Sequence, residues 1–407
     1  MNILNKIKDV RSSWKEVKQE RYIFMNQTEN RRLSMKYAQM YKTKKINEKA
    51  VLYESYWGRG MIDNPYALFV ELYGRDEFKD FTHIWVLDDF ENNQAVLDQY
   101  QNDKRVRFVL FGSDEYVEAL ASCKYLINNV TFPQYFIKRE GQIYINTWHG
   151  SAIKYLGNDV KTEGKSFKGK SASKEKAFYT QSEFDEYVFK RAFGKKDDDF
   201  KRFGLPRNDE LACVEDDKVM HIKEELGIDK HKKVILYCPT FREFSKSNNG
   251  ITQKICVDLE RWEHEMDDCC LLVRAHYEVA QMIDFSERSN VLDVSGYPHL
   301  NDLMMISDIL ISDYSSVFFD YSILHRPMIC FAYDFDEYSK NRGMYLDVSK
   351  ELPCHMVVNE NELYEEIKNT LCQYDEACKK TAAFQKKYVS EFGRGARLTC
   401  DYLVEIL

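Results

Sequence analysis

Short apolar segments that alternate with longer amphipathic ones constrain the fold of this chain more than any other feature of its sequence. The alternation begins near residue 49, and the amphipathic segments place apolar residues at helical spacing. Alternating strands and helices favour parallel sheets built from strand–helix–strand units, so the predicted fold class is α/β. The predicted strands form two series, Ala50–Tyr53, His83–Leu87, Val106–Phe111, Tyr125–Asn128, Ile143–Thr147 and Phe178–Gln181, then Val234–Cys238, Leu271–Arg274, Val291–Val294, Ile309–Ser312 and Met328–Ala332.

The break between the two series, at about residues 210–230, is charged and helix-like. It predicts two Rossmann-like domains, 46–212 and 213–407, that face one another across a cleft. The segment 204–209 is expected to be a turn between them, with Asp209 capping the next helix. Ligands of open parallel sheets bind beyond the carboxyl ends of the strands, so the chemistry is expected in this cleft.

Residues 1–45 are predicted to form a basic helical arm. Residues 1–50 carry thirteen Lys or Arg against five Asp or Glu, although the whole chain has a net charge of −8. The acidic remainder argues against nucleic-acid binding by the whole protein. The arm suits either contact with an anionic membrane surface or packing of a solvated helix on the first domain.

The sequence contains no apolar run near the ~20 residues that span a bilayer, and its start lacks the pattern of a secretory signal. We therefore expect a cytoplasmic protein, which the arm would allow to lie peripherally on the inner face of the membrane. The eleven cysteines include no C-x-x-C pair. They are expected to be reduced thiols, so no metal site is predicted.

His149 follows a predicted strand and is the first candidate catalytic residue. Gly150 permits a tight turn and a close approach of the backbone to a ligand, and Lys154 lies on the same segment. A neutral imidazole can accept a proton from an alcohol at neutral pH. Taken alone, a histidine at this position is more often structural than catalytic. Residues 161–176, rich in Lys, Ser and Gly, predict a loop that is either solvated or in contact with phosphate.

Arg274 ends another apolar strand, and His276 lies two residues further on. The planar guanidinium of Arg274 suits phosphate oxygens, and His276 suits phosphate binding or protonation of a leaving oxygen. The alternative for Arg274 is an ion pair with a carboxylate. Thr240 and Arg242 follow a third strand and are weaker phosphate candidates.

The segment from Ile309 to Tyr321 is the most informative part of the sequence. A predicted strand ends at Asp313, and Ser315 and Ser316 begin a helix that carries Asp320. Unpaired N–H groups at a helix start, together with serine hydroxyls, suit a diphosphate. Serines also cap many helices without binding a ligand, so capping is the alternative.

Several familiar motifs are missing from the sequence. It has no Walker loop, no G-x-G-x-x-G after the first strand, and no Asp-x-Asp pair that stands out at a strand end. These absences weaken a kinase, an ATPase and a dinucleotide-dependent oxidoreductase. They favour a mechanism without metal or cofactor.

Taken in order, these motifs make the chain resemble the CDP-glycerol glycerophosphotransferase family of teichoic acid synthesis. The family's W-H-G-T-P-L-K motif matches residues 148–154, with Ser151 and Ala152 in place of Thr and Pro, a change expected to affect the fit of the acceptor. The resemblance runs from about Leu52 to Asp347. The other matching segments are 204–209, 239–242, 274–277 and 307–321.

The resemblance implies a GT-B fold and a reaction. An acceptor hydroxyl attacks the β-phosphorus of CDP-glycerol and releases CMP, and the acceptor is a polyol phosphate or a glycan that is linked to a lipid. The remaining alternatives are a ribitol phosphate transferase that uses CDP-ribitol, a GT-B glycosyltransferase that uses a nucleotide sugar, and a membrane adaptor without catalysis.

The resemblance also implies roles for the candidate residues. His149 is the general base on the acceptor, while Arg274 and His276 stabilise the diphosphate and His276 assists the departure of CMP. Ser315 and Ser316 hold the diphosphate. The remaining substrate-binding candidates are Asp313, Asp320, Thr240, Arg242, Gly150 and Lys154.

Overall fold

Two parallel sheets, one in each half of the chain, carry the fold. The computed structural model of the protein describes residues 27–160, 177–240, 242, 246–247, 250–251, 255–275, 277–280, 283–285 and 288–407. The first sheet consists of β1 Asn47–Glu54, β2 Thr82–Leu87, β3 Val106–Leu110, β4 Cys123–Asn128, β5 Ile143–Asn146, β6 Ala177–Tyr179 and β7 Phe200–Lys201. The second consists of β8 Lys233–Cys238, β11 Cys269–Val273, β12 Val291–Asp293, β13 Ile309–Ser312, β14 Met328–Phe331 and β15 Met356–Val357.

The two sheets share one strand order. The first runs β3-β2-β1-β4-β5-β6-β7 and the second runs β12-β11-β8-β13-β14-β15. Both match the 3-2-1-4-5-6 order of a Rossmann-like domain, whose order reverses beside the first strand. The reversal lies between β1 and β4 in one half and between β8 and β13 in the other. The predicted α/β class with two Rossmann-like domains is confirmed.

Helices cover both faces of each sheet. A helix over residues 27–43, named α1, begins the described part of the chain. The others in the first half are α2 Asp63–Gly74, α3 Gln94–Tyr100, α4 Asp114–Ser122 and α5 Glu183–Phe193. The second half contains α6 Asp216–Glu225, α7 Leu259–Glu265, α8 Tyr277–Ala280, α9 Leu300–Ile306, α10 Val317–Ser322, α11 Phe335–Arg342, α12 Val348–Glu351, α13 Glu360–Cys372, α14 Tyr374–Tyr388 and α15 Gly395–Val404.

Shorter elements complete the chain. Residues 246–251 contain a two-stranded antiparallel pair, β9 Lys246–Ser247 and β10 Gly250–Ile251. The 3-10 helices are Asp76–Phe78, Glu91–Asn93, Gly157–Asp159, Asp197–Asp199 and Pro206–Ala212. The strands β7, β9, β10 and β15 were not predicted, because two residues are too few to show an apolar pattern.

Continuous apolar strands explain why both sheets lie inside the molecule. Val51, Leu52 and Tyr53 of β1 are fully buried, as are Ile309, Leu310 and Ile311 of β13. Alternate residues of one strand enter different hydrophobic clusters on opposite faces of the sheet. Strands buried on both faces read as unbroken apolar runs, which is how the sequence revealed them.

Part of the basic arm packs on the first domain. Leu33 and Tyr37 of α1 are buried in the cluster that covers one face of the first sheet. Its basic side chains form ion pairs with α4, where Arg32 and Lys36 contact Asp114. For residues 27–43 the packed, solvated helix is therefore correct. Residues 1–26, on which the membrane prediction mainly rests, lie outside the described residues.

The last helix, α15, returns to the first half. Ala396, Cys400 and Leu403 belong to the same hydrophobic cluster as Tyr53 and Trp85 of the first sheet. The expected second domain, 213–407, therefore includes α15 although this helix packs on the first sheet. Among the described residues, no helix is both long and apolar enough to cross a membrane.

Candidate active site

Two adjoining cavities lie in the cleft between the domains, and His149, Arg274, Ser315 and Ser316 line both of them. One cavity has a volume of about 650 Å³. Among the described residues that line it, the basic ones are Arg59, Lys154 and Arg274, and none is Asp or Glu. We call it the basic cavity. The other, of about 730 Å³, we call the acidic cavity. Its charged lining residues are Asp63, Glu71, Asp209, Glu210, Asp302 and Asp320 against Arg207, Lys218 and Arg274.

The ring of His149 is held in the orientation that a general base needs. Its Nδ1 lies 2.7 Å from the backbone oxygen of Asn129. A carbonyl oxygen only accepts hydrogen bonds, so Nδ1 carries the proton and Nε2 of the neutral ring is left with its lone pair. Burial lowers the pKa of His149 below the ordinary imidazole value. The ring is therefore neutral and able to accept a proton at neutral pH.

The segment around His149 has a constrained backbone. Trp148 has a positive φ of 52°, which is uncommon for a large side chain. Its N–H donates to Asn146 Oδ1 at 2.9 Å, and its oxygen accepts from Asn64 Nδ2 at 3.0 Å. The Trp148 ring stacks on the imidazole with centroids 4.2 Å apart. These contacts fix the position at which His149 enters the cleft.

Gly150 occupies a place where no side chain fits. Its φ is +144°, and an added Cβ would come within 2.9 Å of Ser316 Oγ. The backbone at Gly150 therefore lies close to Ser316 of the other domain. The expected close approach to a ligand stays a prediction. This contact brings the β5 end of the first sheet against the start of α10.

Arg274 is a partly buried cation without an acidic partner in the described part of the chain. Its Nη1 donates to the backbone oxygens of Val294 at 3.1 Å and Tyr297 at 2.6 Å. Burial lowers the pKa of the guanidinium, since desolvation disfavours its charge. Within the described residues the alternative, an ion pair with a carboxylate, is not found, and Arg274 presents a positive charge to both cavities.

The two serines at the start of α10 have different roles. Ser315 Oγ accepts from the N–H of Val317 at 3.3 Å, so it serves as a cap. The side chain of Ser316 does not cap the helix, and its hydroxyl makes no hydrogen bond with a described residue. Capping therefore falls to Ser315, and the hydroxyl of Ser316 is available as a donor at the point where the cavities meet.

Arg242 and Asp313 form an ion pair beneath the cavities. Arg242 Nη2 lies 2.8 Å from Asp313 Oδ2, and both side chains are almost completely buried. The guanidinium also donates to Asp334, at 2.7 and 2.9 Å, and to the oxygen of Thr240 at 2.6 Å. Asp313 accepts from the N–H of Thr240 at 2.9 Å. Arg242 and Asp313 therefore shape the loop after β8, and neither reaches either cavity.

Asp320 faces the acidic cavity but already has partners across the domain boundary. Arg207 Nη2 donates to Asp320 Oδ2 at 2.8 Å, and Arg207 Nη1 donates to Asp63 Oδ2 at 2.9 Å. Asn208 Nδ2 donates to Asp320 Oδ1 at 2.6 Å. Arg207 thus joins α2 of the first domain to α10 of the second, and it holds together the two walls that meet at His149.

The remaining candidates lie at the edges of the site. Thr240 and Lys154 line the basic cavity, and Lys154 Nζ donates to Tyr338 Oη at 3.4 Å. His276 and residues 161–176, which were predicted to form a loop, lie outside the described residues. The prediction that Asp209 caps the next helix is wrong, because its oxygens accept from the N–H groups of Gly395 and Ala396 at 2.8 Å, at the start of α15.

Three residues that the sequence did not single out for the site belong to it. Arg59 lines the basic cavity from the loop after β1. Tyr56, in the same loop, packs its ring 5.5 Å from that of His149 and donates to Asp63 Oδ2 at 3.0 Å. Arg207 joins the domains. Arg59 could have been found from its position between two glycines that follow a predicted strand. Arg207 lies in the segment 204–209, which the sequence analysis expected to be a turn between the domains.

Two Rossmann-like domains with cavities in the cleft between them define a GT-B-like fold. The fold alone is similar to the UDP-GlcNAc 2-epimerase from Neisseria meningitidis, with a TM-score of 0.53 at 14% identity, covering 88% of this chain and 100% of that chain. The family model described as CDP-Glycerol:Poly(glycerophosphate) glycerophosphotransferase matches residues 36–397, so the chain belongs to this family.

Individual relatives agree with this result. The teichoic acid glycerol-phosphate transferase of Staphylococcus aureus (strain NCTC 8325 / PS 47) is 33% identical over 373 residues, covering 87% of this chain and 92% of the relative. The teichoic acid poly(glycerol phosphate) polymerase of Staphylococcus epidermidis is 31% identical over 360 residues, covering 85% of this chain. This chain spans about half (49%) of the length of that polymerase.

The fold also matches solved structures over almost its whole length. The wall teichoic acid polymerase TagF gives a TM-score of 0.82 at 28% identity, covering 98% of both chains. One structure of TagF is a histidine-to-asparagine variant soaked with CDPG. These comparisons confirm the predicted family, the GT-B-like fold and the predicted class of enzyme, a glycerophosphotransferase.

Proposed function

We propose that this chain transfers glycerol phosphate from CDP-glycerol to a hydroxyl of a lipid-linked acceptor in teichoic acid or capsule synthesis, releasing CMP. The observation that carries the proposal is the position of His149. Burial lowers the pKa of its imidazole, and the oxygen of Asn129 fixes the proton on Nδ1. The ring lines a cavity whose charged residues are all basic among those described. A base beside an anion site is the combination that this reaction needs.

The basic cavity is the proposed site of the CDP-glycerol diphosphate. Arg59, Lys154 and Arg274 bring positive charge to it from both domains. Arg274 in particular is partly buried and has no carboxylate partner among the described residues, so an anionic ligand would compensate its charge. The Ser316 hydroxyl adds a hydrogen-bond donor. The donor would thus lie beyond the carboxyl ends of β8 and β11, where ligands of such sheets bind.

The proposed chemistry is a single displacement at phosphorus. The acceptor oxygen forms a bond with the β-phosphorus of CDP-glycerol, the bond from that phosphorus to the bridging oxygen breaks, and CMP leaves with the electron pair. The hydroxyl proton passes to Nε2 of His149. Positioning and stabilisation of the phosphate charges by Arg274 and its neighbours supply the rest of the catalysis.

The first experiment measures CMP release from CDP-glycerol in the presence and absence of a lipid-linked glycerol phosphate acceptor. We expect release that depends on the acceptor and falls by at least about 100-fold in His149→Ala, the low end of what general base catalysis contributes. The affinity of this variant for CDP-glycerol, measured by calorimetry, should equal that of the wild type. His231→Ala, which replaces an exposed histidine in a turn, is the matched control and should keep wild-type turnover.

The outcomes separate the alternatives. Near-normal turnover by His149→Ala would contradict the assignment of the base. A preference for CDP-ribitol would keep the mechanism and change the polyol. Turnover of a nucleotide sugar without use of either CDP-polyol would favour a glycosyltransferase. The proposed place on the inner face of the membrane is tested separately, by sedimentation of the protein with anionic vesicles, with and without residues 1–26.

A further inference from the structure

The acidic cavity differs in charge from the basic cavity although both share His149. Six acidic side chains line it against three basic ones. Two of these basic groups are already engaged by lining carboxylates. Arg207 contacts Asp63 and Asp320 at 2.9 and 2.8 Å, and Lys218 contacts Glu210 and Asp302 at 2.8 and 3.0 Å. Glu71 pairs with Arg75, which does not line the cavity, at 2.9 Å, and Asp209 accepts from two backbone N–H groups at the start of α15. Because Arg207 and Lys218 each face two lining carboxylates, the cavity still carries more negative than positive charge.

An aromatic pair forms another part of the wall. Tyr66 of α2 and His299, which precedes α9, stack across the domain boundary with ring centroids 6.3 Å apart and planes inclined by 26°. Val70, one turn from Tyr66, is 51% exposed beside them. Apolar and aromatic surface next to fixed polar groups is typical of sites for small neutral ligands.

These two features select one kind of ligand. A cleft with an excess of one sign of charge disfavours ligands of the same sign, so phosphodiester groups are disfavoured in the acidic cavity. Sugar hydroxyls donate hydrogen bonds to carboxylates, and the C–H faces of a sugar ring pack on aromatic rings. At about 730 Å³, the cavity is also large enough for more than a single glycerol unit.

We propose that the acidic cavity is the acceptor subsite, and that it takes the uncharged, sugar-terminated end of a glycan in preference to a chain that ends in glycerol phosphate. This inference rests on the proposed function, because only there does a hydroxyl beside His149 receive the transferred group. The donor occupies the basic cavity, the acceptor occupies the acidic one, and His149 lies where the two meet.

The test compares two soluble acceptors with the same alkyl chain, a disaccharide glycoside and a glycerol phosphate. Calorimetry with the full-length His149→Ala protein, saturated with CDP-glycerol, measures binding without turnover. We expect the glycoside to bind at least about tenfold more tightly. Equal or tighter binding of the alkyl glycerol phosphate would overturn the inference, and so would failure of the glycoside to bind. Failure of CDP-glycerol itself to bind would instead contradict the proposed function.

Variants of the wall locate the subsite. With Tyr66→Ala in the same background, the glycoside should bind about 3- to 10-fold more weakly, because an aromatic contact is lost, and CDP-glycerol should bind as before. Tyr187→Ala, an exposed tyrosine on α5, is the matched control and should change neither affinity. An effect of Tyr66→Ala equal to that of the control would place the acceptor elsewhere.

A charge variant tests the electrostatic part of the inference. Asp302→Asn removes one lining carboxylate and frees Lys218 from one partner, so the preference for the glycoside should narrow by about two- to fivefold. Asp375→Asn, outside the cavity, should leave the preference unchanged. An unchanged preference in Asp302→Asn would show that the charge of this wall does not select the acceptor.

Discussion

At the scale of one residue, the proposed role of His149 as a base rests on its surroundings. Its position after a strand was compatible with both a base and a structural histidine. The choice depends on the oxygen of Asn129, which sets the tautomer, and on burial, which lowers the pKa of the ring. Neither is visible in the local sequence, because Asn129 lies at the end of a different strand.

The lowered pKa of His149 predicts a pH profile. A general base acts in its neutral form, so kcat/KM should be level near pH 7 and fall as the pH drops below the pKa of the ring. Because burial lowers this pKa, the fall should begin below the ordinary imidazole value of ~6.5. The measurement is kcat/KM for CDP-glycerol between pH 5 and pH 8. A fall that begins above the ordinary value would contradict the neutral, buried imidazole.

The loop after β8 shows at the scale of an element how a motif serves the fold. Arg242 was expected to contact phosphate, as its residue type suggests. Its donors are instead directed to Asp313, Asp334 and the oxygen of Thr240, and the rings of Tyr314, Tyr333 and Tyr338 surround it at about 5 Å. The ends of β8 and β13 are thereby joined beneath the site.

Arg242→Ala should therefore lower stability more than it weakens donor binding. Removing one partner of a buried ion pair leaves uncompensated carboxylates and costs about 3–5 kcal/mol. Thermal unfolding should detect this loss, while Arg397→Ala, an exposed arginine on α15, should leave the melting temperature nearly unchanged. If Arg242→Ala kept the wild-type melting temperature but raised the KM for CDP-glycerol, the phosphate role would be restored.

At the scale of the whole molecule, the end of the chain returns to the first domain, which the predicted domain boundaries did not include. The chain leaves the first domain near Asp209 and returns to it at α15, whose amino terminus is capped by that same Asp209. Burial raises the pKa of Asp209, against the opposing effect of the two backbone donors. One carboxylate therefore holds the outgoing and the returning segments together.

Replacing Asp209 by Ala tests this connection. Loss of a helix cap costs about 0.5–2 kcal/mol, so the protein should unfold at a lower temperature and the amides of α15 should exchange hydrogen faster. Asp347→Ala removes a comparable cap from α12 in the second half and should leave exchange in α15 unchanged. Equal protection of α15 in both variants would mean that packing on the first sheet holds the helix without the cap.

The sequence by itself determined the two series of buried strands, and hence the α/β class, because strands covered on both faces are continuously apolar. It also determined that His149, Arg274 and Ser316 follow strands whose carboxyl ends meet in the cleft. Only the tertiary structure decided which charges are free to meet a ligand. Arg242 is paired with buried carboxylates, whereas Arg274 pairs with none among the described residues. This difference arises from partners that are distant in sequence. The same long-range contacts placed α15 on the first domain, because a helix shows its apolar face in the sequence but not the sheet that the face will cover.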